Sequence, residues 1–367
     1  MLEETRVLRQ LSRFEPTPSQ MTYLDSMMNK VSRSFAVVVP CLEEPLNHFL
    51  GTAYLLCRVV DNIEDCTQSL AWKEKRFNEF SSLLNEPLRA TEILTHWQHD
   101  SWPGLTADEA RLMSVEAGLP LWQIYALFPA KIRDIIAHWT VAMARGMSQI
   151  EQPDQSPRLL KVEGVRVLAS ERDYDRYCYI VAGTVGHLAT ELVIDHYDLG
   201  YNEAESLLAK CEACGRALQK TNIVKDFVKD LRRDFCYLPE EWLRQVDYLP
   251  LSLAGAPPGW ARMVINNVMA ELDVATDYLL ALPYRAVGYR LASLLCLLPA
   301  YQTIQLIAQN QDRLFTADHQ FKISRQTMAE CLQATQLMVA DNDAILAYSR
   351  QMRTTIDTAL RLTVSVP

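Results

Sequence analysis

The chain has 367 residues, 49% of them hydrophobic and 22% charged, the balance of an ordinary globular protein with a large core. A formal net charge of −9 excludes the basic footprint of a nucleic-acid binder and disfavours attachment to anionic lipid by charge alone. The nine cysteines are an odd count without zinc spacing, since Cys211-Glu-Ala-Cys214 has no second pair, and they read as thiols of a reducing compartment.

Residues 1–20 read as a polar lead-in without the apolar segment of a signal peptide, and 358–367 as a short tail. A loop at Glu15-Pro-Thr-Pro18 precedes a helix that includes Tyr23, Met27 and Met28. Pro45–Cys66 gives the first strong helix, apolar nearly all round until Arg58 and therefore buried. Helical segments follow at about 72–84, 105–119 and 121–149, the last interrupted near Phe128-Pro129, with a break at Thr95–Pro103. After a loop at Glu151–Pro157, Asp173–Asp195 is another apolar helix. Its Gly183, Thr184, Gly186 and Ala189 predict close packing or a cavity beside it. A helix over about 203–232, a Pro/Gly loop at Leu249–Pro258, and helices at about 260–281, 284–310 and 326–357 complete the chain. Alternating strand patterns and Asn-Gly or Asp-Gly hairpin signals are missing, and no run of 18 apolar residues occurs. The expectation is one all-α domain over residues 1–367, without a membrane anchor: a monomer, cytoplasmic or at most peripheral at a membrane.

Two stretches carry the chemistry. In Gln219-Lys-Thr-Asn-Ile-Val-Lys-Asp226-Phe-Val-Lys-Asp230, residues Asn222, Asp226 and Asp230 recur every four positions and share one helix face. In Asp61-Asn-Ile-Glu64-Asp65 the carboxylates fall at i, i+3 and i+4. Like charges so spaced destabilise a bare helix, and at the C-terminal end of the first helix they also oppose the macrodipole. A bound divalent cation removes both penalties. Two such faces opposed across a bundle could hold Mg²⁺, which prefers oxygen ligands and bridges carboxylates to phosphates. With Arg33, Arg58, Arg232 and Arg233 the arrangement becomes a diphosphate clamp, and the apolar, glycine-notched helices offer room for a hydrocarbon tail. The competing reading is a pair of solvated helix faces.

The chain resembles the squalene/phytoene synthase family. The matching pieces are SRSF at 32–35, Arg58 with DNIED at 61–65, YCYIVAGTVG at 177–186, QKTNIVKDFVKD at 219–230 and RDFCYLP at 233–239. Gln-Lys-Thr-Asn and Cys296-Leu-Leu-Pro299 lean toward the squalene-forming branch, and Phe321-Lys322-Ile-Ser-Arg325 is similar to a segment receiving NADPH phosphates. The resemblance implies a helical isoprenoid-synthase bundle with a central apolar cavity. It implies Mg²⁺ and NADPH as cofactors and two farnesyl diphosphates as substrates, joined head to head to presqualene diphosphate and then reduced to squalene.

It further implies roles for residues. Asp61, Glu64, Asp65, Asp226, Asp230 and Asn222 would serve the metal, and Tyr177 would steer the coupling. Arg33, Arg58, Lys225, Lys229, Arg232, Arg233 and Gln219 would bind diphosphate. Arg33, Arg58, Lys225, Lys322 and Arg325 would bind the nucleotide, and Phe35, Tyr54, Val181, Gly183, Leu295, Cys296 and Pro299 would line the pocket. One departure stands out: Lys229 occupies a position where the family usually has glutamate, which leaves the number of Mg²⁺ ions open. Phytoene, dehydrosqualene or presqualene diphosphate as end product, and a non-catalytic helical scaffold, remain alternatives. A di-iron bundle is disfavoured, because no histidine has glutamate three residues before it.

Overall fold

The computed structural model describes residues 16–32, 35–150, 152, 155–245, 258–314, 316 and 320–362. These fall into two compact units: the residues up to Ser148 with Glu191–His196, and Gln149–Thr190 with the residues from Tyr197 onward. Arg33, expected to bind diphosphate, lies outside the described residues.

The first unit is helical throughout its described residues: α1 (Pro18–Val31), α2 (Leu46–Asp65), α3 (Leu70–Asn85), α4 (Ala90–Trp97), α5 (Ala107–Arg111), α6 (Val115–Ala126) and α7 (Ala130–Gln149, counted here to Ser148), with a helical turn at Phe35–Val38. Helix α1 begins where Thr17 and Gln20 form a reciprocal capping box and Pro18 takes the first turn. Helix α2 is the core element: Leu46, Leu55, Leu56, Val59, Val60 and Ile63 have no exposure. It packs against α1, α3 and α6. The expected break at 95–103 is present from Gln98 onward, but the short helix α4 before it was not expected. Its Ile93, Leu94 and Trp97 face is buried, and Trp97 Nε1 donates to Glu79 at 2.7 Å. Buried Arg76 then grips Asp100 through Nε at 3.0 Å and Nη2 at 2.6 Å, pinning the chain just after α4. Charge pairing across a sequence gap gives no periodic signal, which is why the helix was not legible.

The second unit opens with a hairpin, β1 (Leu159–Val162) and β2 (Val165–Leu168), in register Leu159↔Leu168. Glu163 and Gly164 both have positive φ (50° and 94°), the two-residue turn that matches strand twist. Sequence reading expected no strand; Glu-Gly here replaces the usual Asn-Gly or Asp-Gly. Helix α8 (Glu171–Cys178) runs through a π-turn at Tyr179–Gly183 into α9 (Thr184–His196). The expected helix over 203–232 is two, α10 (Tyr201–Leu208) and α11 (Cys211–Leu231). A turn through Asp234 (φ 58°) leads to β3 (Phe235–Cys236), parallel to β2. RDFCYLP is therefore a turn and a strand.

Helices α12 (Glu240–Gln245), α13 (Pro258–Ala281), α14 (Val287–Gln309), α15 (Arg325–Met338) and α16 (Asn342–Leu362) follow. The expected single helix at 326–357 is split because Arg290, with no exposure, draws the α15–α16 link inward. It donates to the carbonyls of Val339 (2.7 Å), Leu279 (3.1 Å) and Leu282 (2.8 Å), and to Asn342 Oδ1 (2.7 Å). The fold is all-α with a three-stranded sheet, and α11 packs most extensively on α13 and on the π-turn. Two segments, Glu171–His196 and Val287–Gln309, are long and apolar enough to cross a membrane by composition, although no such run was expected. Their apolar windows are 50% and 61% buried within the protein, as core helices are.

Candidate active site

In the first unit, Asp61, Glu64 and Asp65 occupy the last turn of α2. The α-carbonyls there need donors, and Lys73 of α3, itself buried, supplies one by donating to the Glu64 carbonyl at 2.6 Å. Asp61 lies 3.9 Å from Arg58 Nη1, and the same nitrogen lies 3.8 Å from Glu109. Burial pushes the Asp61 carboxyl up to about 7; Arg58 pulls it down, while Asp65 and Glu109 push it further up. Arg58 also donates to the Val31 carbonyl (3.4 Å) and to Tyr54 (3.5 Å), while its Nε is buried without a hydrogen-bond partner. Tyr54 and Phe35, two expected pocket residues, meet with ring centroids 4.9 Å apart.

Glu109 and Lys73 were not anticipated. The Thr106-x-x-Glu109 capping box is readable as a helix start, with Glu109 Oε2 accepting from Thr106 N at 2.9 Å. Nothing in that pattern foretells the approach to Arg58.

In the second unit, α11 displays two opposed characters. Its buried side includes Ala213, Ala217, Lys220, Thr221, Val224, Phe227 and Val228. Its open side carries Asn222 and Lys229, both exposed, with Gln219, Asp226 and Asp230 half-buried. Lys225 Nζ lies 3.2 Å from Asp226. Arg232 and Arg233 are exposed just beyond the helix. The expected amide–carboxylate–carboxylate line is thus present on one helix face, and Lys229 stands on the solvent side of it.

Tyr177, in the last turn of α8, is 5% exposed and stacks on Tyr237 at 4.6 Å, which in turn stacks on Phe235 at 4.2 Å. Strand β3 thereby fixes the ring expected to steer the reaction. The π-turn that follows holds half-buried Val181 and buried Gly183. Glycines at and across from this turn answer the close-packing expectation, Gly186 on α9 and Gly215 on α11. A Cβ on Gly215 of α11 would fall 2.0 Å from the Ala182 carbonyl oxygen, and one on Gly186 would fall 2.2 Å from that of Cys211. On α14, Leu295 is buried while Cys296 and Pro299 are half-buried. Lys322 and Arg325 are exposed at the start of α15, where Ser324 caps the helix by accepting from Thr327 N at 3.0 Å.

Among the described residues, no three His, Cys, Asp or Glu side chains converge as a ready metal cage. The donor chemistry nevertheless fits Mg²⁺. It consists of hard carboxylate oxygens, and a nearby cation would favour the ionised form of the Asp61 carboxyl, whose pKa is raised chiefly by burial and further by Asp65 and Glu109. Mg²⁺ keeps several waters, so a cage of protein ligands is not required of it. The exposed ammonium of Lys322 and guanidinium of Arg325 suit the phosphates of a nucleotide.

Solved structures share this architecture. A TcSQS complex superposes with a TM-score of 0.72 over 94% of this chain and 98% of that one, at 21% identity. A dehydrosqualene synthase complex gives 0.55 over 88% and 96%, at 17% identity. The fold is that of the helical isoprenoid synthases. The sequence model described as Squalene/phytoene synthase matches residues 28–327, and the chain belongs to that family. Among curated relatives, a squalene synthase of Candida albicans is 30% identical over 61% of this chain and 46% of its own length. That of Saccharomyces cerevisiae is 29% identical over 62% and 47%, and that of Bos taurus 27% over 60% and 47%. The matched stretch thus spans about half the length of those relatives.

Proposed function

We propose that the chain joins two farnesyl diphosphates head to head into presqualene diphosphate and reduces that product to squalene. The observation that carries the reading is the presence, in a member of this family, of two helices that carry carboxylates toward their C-terminal ends, Asp61/Glu64/Asp65 on the buried α2 and Asp226/Asp230 on the open side of α11. The squalene branch is favoured by the curated relatives, which are squalene synthases of fungi and a mammal, and by the Gln219-Lys-Thr-Asn222 run.

In this reading Asp61, Glu64 and Asp65, and likewise Asp226 and Asp230 with Asn222, hold Mg²⁺. When bound, the metal supplies Lewis acidity for departure of diphosphate, and NADPH supplies the hydride of the second half-reaction. Arg58, Gln219, Lys225, Lys229, Arg232 and Arg233 receive diphosphate oxygens, the lysines as point charges and the arginines as forks. Departure of diphosphate from C1 of one substrate leaves an allylic cation, which the double bond of the second attacks; loss of a proton closes the cyclopropane. Tyr177, held by Tyr237, orients that step, and the departing diphosphate accepts the proton. The apolar helices exclude water, which would quench the cation to an alcohol. Lys322 and Arg325 take the nucleotide's phosphates. The protein is proposed to work in the cytoplasm as a monomer, touching a membrane at most peripherally to collect and release oily molecules.

The test is an incubation of the purified chain with farnesyl diphosphate and Mg²⁺, first without and then with NADPH, followed by lipid analysis. Presqualene diphosphate without the nucleotide and squalene with it support the reading. Dehydrosqualene under both conditions, or phytoene from geranylgeranyl diphosphate, would reassign the product within the family.

A further inference from the structure

Lys220 is a cation in a place where charge is expensive. It is 1% exposed and sits on the packed side of α11, between Ala217 and Val224. Its Nζ lies 2.9 Å from Glu271 Oε1 on α13 and 2.7 Å from Asp175 Oδ1 on α8, and 5.1 Å from the centre of the buried Tyr174 ring. One turn earlier on α11, Arg216 also binds Glu271, with Nε at 3.0 Å from Oε1 and Nη2 at 3.1 Å from Oε2. Stability does not explain such a cluster, because well-packed apolar residues of similar volume commonly replace buried ion pairs at no loss. Geometry does. A hydrophobic contact between helices tolerates sliding, whereas an ammonium that is hydrogen-bonded to Glu271 and ion-paired with Asp175 ties the register of α8, α11 and α13.

The register matters because of what the same helices carry. Asp175 is two residues before Tyr177. Asp226 and Asp230 follow Lys220 on α11 by about 9 Å and 15 Å of helix rise. Lys220 therefore joins, through one ammonium, the helix turn that presents Tyr177 to the helix that presents the acidic pair. The Tyr177–Tyr237 stack, the Gly215–Ala182 contact at the π-turn and the 3.1 Å bond from Asn267 of α13 to Glu171 hold this segment from other sides, and the Lys220–Asp175 ion pair ties the turn before Tyr177 directly to α11.

We infer that Lys220 is a positioning residue: by bonding Asp175 and Glu271 it places Tyr177 relative to Asp226 and Asp230, and so decides whether the cation formed from the first substrate is captured by the second or by water. This rests on the proposed condensation. Lys220→Met keeps the volume and leaves Glu271 paired with Arg216, the Asp175 side chain is 44% exposed and so within reach of water, and far-ultraviolet circular dichroism checks the fold of each variant before either readout.

The experiment has two readouts. In turnover, diphosphate release from farnesyl diphosphate is measured beside the ratio of farnesol and its allylic isomer to coupled C30 product. Lys220→Met is expected to leave release within about threefold and to raise that ratio by about tenfold to a hundredfold, the cost of a displacement near 1 Å. Lys220→Arg restores the wild-type ratio, and Lys220→Met adds nothing in a Tyr177→Phe background. The second readout needs no substrate: nitration of Tyr177 by tetranitromethane, mapped by mass spectrometry. It is expected to be slow in the wild type and faster in Lys220→Met and Asp175→Asn. An unchanged product ratio, an equal fall in release and coupling, or unchanged nitration overturns the inference. A wild-type chain that leaves farnesyl diphosphate intact overturns the proposed function instead, and nitration alone then decides the role of Lys220.

Discussion

Gly215→Ala tests how tightly the π-turn is seated. The added methyl carbon would lie 2.0 Å from the Ala182 carbonyl oxygen, 2.5 Å from its carbon and 3.0 Å from the Gly183 nitrogen. All three obstacles are backbone atoms, so no side chain can swing aside and α11 must move off the π-turn. Overpacking costs about 1–3 kcal/mol, with backbone obstruction at the upper end, near 3 kcal/mol. Alanine in place of a helical glycine returns about 1 kcal/mol of propensity. The net destabilisation is about 2 kcal/mol, or a fall in Tm of about 5 °C for a cooperative unit of some 200 residues. Thermal and urea unfolding followed by far-ultraviolet circular dichroism measure it. Gly259→Ala is the control: no atom comes within 4 Å of its added carbon, and its stability should stay within about 0.5 kcal/mol of the parent. A Gly215→Ala protein as stable as that control would refute the backbone contact.

The remaining predictions bear on other parts of the molecule. Arg290→Met removes the shared donor of two buried acceptors, the Leu279 and Leu282 carbonyls, and two half-buried ones, the Val339 carbonyl and Asn342 Oδ1. Its unfolding free energy should fall by about 3–5 kcal/mol in urea titration, at roughly 1–3 kcal/mol for each buried group left unsatisfied; a loss below about 1 kcal/mol would contradict the knot at the α15–α16 link. Burial acts to raise the Asp173 carboxyl, but bonds from Arg158 N, Ser170 and Ser156 and the charge of Arg158 outweigh it and hold the pKa below its usual range. That stabilisation is complete above the ordinary aspartate pKa of about 3.9 and is lost as pH falls through the lowered value. Asp173→Asn should therefore cost about 2 kcal/mol at pH 7, and the gap to wild type should narrow in unfolding curves taken below pH 4. Lys322→Ala should raise the KM for NADPH by about tenfold without slowing presqualene diphosphate formation, one charge-assisted contact being worth about 1.5 kcal/mol; equal slowing of both half-reactions would assign the segment another role.

Much of this was legible because the decisive patterns are local. Helix α2 is apolar until Arg58 and then turns acidic, and the four-residue spacing of Asn222, Asp226 and Asp230 survives intact on α11. The glycines of YCYIVAGTVG announced close packing, and Gly186 meets the Cys211 carbonyl as such a residue should. What escaped depends on partners distant in sequence. The α15–α16 break comes from Arg290, some 50 residues earlier, and helix α4 depends on Trp97 reaching Glu79. Strands β1 and β2 are four residues each, too short for alternation to register, and β3 exists because β2 is beside it. Lys220 did leave a trace: a charge on the apolar period Ala213, Ala217, Val224, Phe227 of α11. Its partners Asp175 and Glu271 lie 45 and 51 residues away, beyond any local pattern.

The most direct measurement of the central claim is diphosphate release from labelled farnesyl diphosphate as a function of Mg²⁺, compared among wild type, Asp61→Asn and Asp226→Asn. Both acidic helix ends are required if the proposal holds. Wild type should then release diphosphate only with Mg²⁺, and each variant should lose more than the roughly 100-fold that removal of an outer-shell metal partner costs, with helical circular dichroism unchanged. Release that persists without Mg²⁺, or in either folded variant at the wild-type rate, would contradict it.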